Sequence, residues 1–161
     1  MDRRKFIITT GAVAGVSMAG CSLLGGDGDT DSSESVAEAF LRAGFDGDTD
    51  RAEELLHPDS PFDPTENDND GSGFDGSVNS LETSVENDDF TADDLGSVRG
   101  FGMTVTEDTV SGLEGDEDME LVRVSTELEF EGETFNVEYY VLAATDGDEW
   151  LVLDIGVGTA E

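Results

Sequence analysis

Two periodicities divide this chain. Val36, Ala37, Phe40 and Leu41 recur at helical spacing, whereas Val122, Val124, Thr126, Leu128 and Phe130 alternate with Arg123, Ser125, Glu127 and Glu129. The first spacing gathers apolar side chains on one face of a helix, and the second is the period of a half-buried strand. Ser35, with Glu38 three residues on, reads as a capping box that would start the helix. Gly44 and the Asp46-Gly47-Asp48 turn would end it. A second short helix is predicted from near Asp50, with Glu53 as its box partner and Ala52, Leu55 and Leu56 turned inward. It stops at His57-Pro58, because the residue before a proline avoids the α region. Residues 63–76, rich in Asn, Asp and Gly, predict a loop. Val78, Leu81 and Val85 predict a third helix over 77–86, and 91–95 one further turn.

The second half predicts strands. Phe101, Met103 and Val105 alternate with small or polar residues. After the Val122 strand, Glu131-Gly132-Glu133 makes a tight turn. Phe135, Val137, Tyr139, Val141 and Ala143 then share one face of the next strand. Asp146-Gly147 is a hairpin signal. The last strand spans 150–157, with Leu151, Leu153, Ile155 and Val157 on one face and Trp150 and Val152 on the other. Helices followed by hairpin-linked strands imply an α+β fold with an antiparallel sheet.

The N-terminus carries a different signal. A basic Asp2-Arg3-Arg4-Lys5-Phe6 start leads into an apolar run from Ile7, which closes on Met18-Ala19-Gly20-Cys21. The run is shorter than the roughly 20 residues a spanning helix needs, and its three parts are those of a secretory signal. Paired arginines point to the twin-arginine route. Arg3-Arg4-Lys5-Phe6-Ile7 and Met18-Ala19-Gly20-Cys21 resemble the export motif and lipobox of twin-arginine-exported lipoproteins. Asp2 stands where Ser or Thr is usual, and Met18 where Leu is commoner. The resemblance implies cleavage before Cys21, a lipid on that cysteine, and a place on the outer face of the cell membrane. The competing reading is an uncleaved N-terminal anchor helix. Cys21 is the only cysteine, so the chain has no internal disulfide.

The predicted organisation is therefore a signal peptide over 1–20, a lipid-anchored acidic Gly/Ser/Asp linker over 21–35, and one domain over 36–161. The linker composition cannot bury a core, and it predicts a flexible spacer.

Charge sets the solvent. The chain has 7 basic and 40 acidic residues, a net charge of −33. From Cys21 onward only Arg42, Arg51, Arg99 and Arg123 are basic, and no lysine remains. Such a surface repels itself in dilute salt. Concentrated brine relieves this, since the Debye length falls from about 8 Å at physiological ionic strength to about 3 Å at 1 M. In its acid excess and lack of lysine the chain resembles proteins of salt-loving archaea. The charge excludes nucleic-acid binding, which needs a basic footprint. Spread along the whole domain, it predicts loosely associated cations.

The order of helix, Asp46-Gly47-Asp48 turn, helix ending at Leu55-Leu56-His57-Pro58, and meander closing on Trp150-Leu151-Val152 resembles the nuclear transport factor two-like, or cystatin-like cone, superfamily. That resemblance implies N-terminal helices packed on a curved, cone-like antiparallel sheet with a pocket at its wide end. The superfamily holds isomerases, dehydratases, cyclases and non-catalytic exported domains, so fold alone does not assign function.

Few residues are candidates for chemistry. His57 is the only histidine. It is read either as a pocket acid–base group near Asp59 or as a helix-end residue placed on the dipole. Asp154 interrupts an apolar strand and is the other candidate base. Asp27-x-Asp29-x-Asp31 and Asp46-x-Asp48-x-Asp50 copy part of a calcium loop, but both lack the glycine at its sixth position. No metal centre and no cofactor is predicted from them. Phe101, Tyr139, Tyr140 and Trp150 are candidates to line a ligand pocket. One of Tyr139 and Tyr140 must face away from the main core, because neighbours on a strand point to opposite faces. Together these features predict a non-enzymatic, membrane-anchored extracellular domain that binds a small apolar ligand or a surface protein. The alternatives are an exported enzyme of the cone superfamily using His57 or Asp154, and a structural spacer.

Overall fold

The computed structural model describes residues 30–63 and 76–158. The cap of helix α1 (Ser33–Asp46) lies three residues before the expected one. Ser32 is the N-cap, and its hydroxyl accepts the Ser35 N–H. Gly47, at φ 73°, closes the helix in the left-handed conformation that glycine adopts without strain. Asp48 then caps α2 (Thr49–Glu54) through the Arg51 N–H, so of the three aspartates in the calcium-like spacing Asp46 ends α1, Asp48 is a helix cap and Asp50 lies in α2.

Four strands follow: β1 (Ser77–Asn87), β2 (Met119–Phe130), β3 (Glu133–Asp146) and β4 (Glu149–Gly158). They form one antiparallel sheet in the order β1-β2-β3-β4. Between β1 and β2 the chain makes a run of short turns over 92–101, containing α3 (Leu95–Val98), and then α4 (Glu107–Leu113). Thr106 caps α4 by accepting the Thr109 N–H. The β2–β3 turn takes two residues, Glu131 at φ 52° and Gly132 at φ 85°. Two positive φ values fit the right-handed twist of a hairpin.

The sheet is covered on both faces. On one face α1 and α2 bring Val36, Ala37, Phe40, Leu41 and Leu55 against Val122, Val124, Val141, Ala143 and Val152. On the other, the segment from Phe90 to Leu113 brings Leu95, Val98, Val105 and Val110 against Leu121, Leu142, Ala144 and Leu153. This overturns the cone expectation. The sheet is open and uncurled. A cone leaves its sheet free to bend around helices on a single concave face. Here a second layer packs on the back of the sheet, and apolar side chains must point both ways.

Two β-bulges correct the sequence reading further. Residues 77–86 lie in β1, not in a third helix. Val78 pairs with Leu128 and Ser80 with Glu127, so Asn79 is an extra residue. That insertion returns Leu81, Thr83 and Val85 to the face of Val78, and a three-residue spacing then mimics a helical one. In β4, Leu142 pairs with Asp154 and Ala143 with Val152, so Leu153 is extra. The strand changes phase there: Trp150, Val152 and Ile155 pack with the helices, and Leu153 packs with the opposite layer. The expected strand through Phe101, Met103 and Val105 is instead the end of a turn followed by an extended loop.

Candidate functional site

The two candidate bases are both buried, at 3 % exposure for His57 and 1 % for Asp154. His57 follows α2 where the chain runs beside the outer edge of β4. The Val152 N–H donates to the Leu55 carbonyl (2.8 Å), and the His57 N–H donates to the Val152 carbonyl (2.8 Å). The ring is held at both nitrogens. Nδ1 accepts the Asp59 N–H (3.1 Å), so the ring proton sits on Nε2, which donates to the Glu117 carboxylate at 2.8 Å. His57 thereby ties the end of α2 to the loop between α4 and β2.

Asp154 makes a second tie. Its Oδ2 accepts the N–H groups of Thr104 and Val105, each at 2.6 Å, and its Oδ1 accepts the Ile155 N–H at 2.8 Å. A buried carboxylate needs such donors to replace water. Here it holds the 102–106 loop against β4. Gly156 continues the seam, because a Cβ there would stand 2.4 Å from the Phe101 carbonyl oxygen. On the outer edge of β4 the Trp150 N–H also donates to the Thr30 carbonyl (2.9 Å), so that edge is paired at Trp150 and Val152.

The four aromatic candidates separate onto opposite faces. Tyr139 and Trp150 pack with the helix-side core, and Phe101 and Tyr140 with the other. Tyr139 meets Phe45 edge-on at 5.9 Å, and burial pushes its hydroxyl pKa above the usual 10.0. Phe101 stacks on Tyr140 with centroids 4.0 Å apart, and Gly158 lies beneath both rings. They line no common cavity.

A hollow of about 440 Å³ opens near the β3–β4 turn, lined by Asp88, Asp89, Glu114, Asp116, Glu117 and Asp118 among others. Sequence reading missed this gathering, because β1, α4 and β2 bring their ends together only in the fold. Among the described residues no cluster of three or more His, Cys, Asp or Glu side chains is arranged to hold a metal ion. A second hollow of about 260 Å³ lies between Arg42, Phe45 and Asp46 of α1 and Gly76 and Val78 at the start of β1.

Arg3, Arg4, Cys21 and the aspartates at 27 and 29 lie outside the described residues. Among the described residues no helix is long and apolar enough to cross a membrane. Compared with protein families, with curated proteins and with solved structures, the chain matches none.

Proposed function

We propose that this protein is a lipid-anchored domain on the outer face of the cell membrane, held through Cys21, that works by contact with a neighbouring molecule rather than by catalysis. The observation carrying the non-catalytic part is the use already made of His57 and Asp154. Both ring nitrogens of His57 are engaged, and the Asp154 carboxylate is filled by backbone donors. A general acid or base must reach a substrate proton within hydrogen-bond distance. These two groups are spent on joining loops.

The anchor rests on the Arg3-Arg4 start and the small residues before Cys21. Eight residues separate Cys21 from Thr30, a reach of about 30 Å at full extension. Thr30 is bonded to Trp150 beside the β3–β4 turn, so the anchor belongs to that end of the sheet. Replacing Cys21→Ser should release the protein from membranes or leave an unprocessed precursor, read by fractionation and intact mass. Mature-sized protein retained in the membrane would overturn the anchor.

A further inference from the structure

The helix layer is much shorter than the sheet beneath it. The 14 residues of α1 span about 21 Å, and the 14 of β3 about 46 Å. The helix reaches Tyr139 with its Phe45 ring. Beyond that contact the same sheet face continues along β3 through Val137 and Phe135, with Val157 of β4 paired beside Tyr139. Phe135 is 47 % exposed and Val157 57 %. Concentrated salt raises the cost of leaving apolar surface in water.

The back of the same hairpin is acidic. Glu127, Glu129 and Glu138 project from the opposite face, and Glu131 and Glu133 stand at the turn. Arg123, on that back face, already lies between Glu86 (3.5 Å) and Glu138 (3.8 Å). A second copy would set like charges against one another, and an anionic lipid surface would do the same. A partner strand added to β1 would meet an edge kinked by two bulges, at Asn79 and Glu86.

We propose that the outer end of the helix-side sheet face, built on Phe135, Val137 and Val157, docks a segment of a neighbouring protein that brings an apolar anchor flanked by arginine or lysine. The apolar anchor fills the exposed part of that face at Phe135 and Val157, beside the buried Leu128 and Thr126 of β2. The flanking cations reach the glutamates at the hairpin turn, where ion pairs at contact distance survive screening that removes longer-range attraction. That this end points away from the membrane rests on the anchor at Cys21; the docking face itself does not.

The test uses the full chain, extracted from membranes in detergent and kept in molar salt. Three fluorescent peptides are titrated: a phenylalanine flanked by arginines, the same peptide with glutamates for arginines, and the same peptide with serine for phenylalanine. The arginine-flanked phenylalanine peptide should bind, and the other two should bind at least about tenfold more weakly. Phe135→Ser should cost about tenfold with an unchanged melting temperature, and the Glu131→Gln/Glu133→Gln pair should weaken binding independently of the apolar face. Equal binding of the three peptides, or undiminished binding by Phe135→Ser, overturns the proposal. So does self-association in molar salt that Phe135→Ser abolishes, or Phe135-dependent flotation with phosphatidylglycerol vesicles after Cys21→Ser. If Cys21→Ser leaves membrane retention unchanged while the peptide still binds, the anchor fails and the docking face stands.

Discussion

One strand runs through two environments. At Val141, Leu142, Ala143 and Ala144, β3 is buried on both faces, and at Glu133, Thr134, Phe135 and Asn136 it is exposed on both. Phe135 and Val141 stand in the same phase of the pleat and face the same way. The difference lies in what covers them: two layers at one end, and neither at the other. Alternation states which residues share a face, and it is silent on whether anything lies over that face.

That contrast can be broken most severely at the covered end. Leu142→Ala removes a fully buried side chain and should destabilise the domain by about 2–5 kcal/mol. Phe135→Ala at the bare end should change stability by about 0.5 kcal/mol or less. Denaturant melts in molar salt give both numbers, and equal losses would erase the distinction between the ends.

Asp154→Ala strips the acceptor from three backbone N–H groups. A loss of about 2–3 kcal/mol is expected, with earlier proteolysis within 102–106 than elsewhere. An unchanged melt would show that the carboxylate does not hold that loop.

The smallest effect sits at the border between the two ends. Burial raises the Tyr139 hydroxyl pKa in the folded protein. The unfolded chain then loses its proton first as pH rises through about 10, so folding stability falls above that pH. Tyr139→Phe should flatten this alkaline decline relative to the parent chain. Identical pH profiles would place Tyr139 in water rather than against Phe45.

Helix α1 and the β2–β3–β4 meander were legible because the apolar residues of α1, β2 and β3 keep a strict period and the turns carry Gly47, Gly132 and Gly147 at positive φ. The errors have a common physical origin. An extra residue at Asn79 made β1 look helical, and one at Leu153 reversed the phase of β4. A bulge adds a residue that has no partner across the ladder, and no residue type marks it in the sequence. Asp154 was the visible mark of the second: a carboxylate in an apolar strand is tolerable where a loop supplies donors. Helix α4 was missed although Thr106, followed by Glu107 and Asp108, is an N-terminal signal. The second layer was hidden for a related reason, because Leu95, Val98, Val110 and Leu113 form pieces too short to show a period. Missing that layer made a two-faced sheet look like the wall of a cone. Of the candidate site, His57 and Asp154 were conspicuous by composition, but their partners Glu117, Thr104 and Val105 are distant in sequence.

The account turns on the gradient of cover along β3, and amide hydrogen exchange of the native protein in molar salt reads it residue by residue. Amides at 141–144 should exchange only through global unfolding, while those at 133–136 open locally with much lower free energy. Uniform protection from Glu133 to Ala144 would contradict it, since it would mean that the outer end of the sheet is held as firmly as the core.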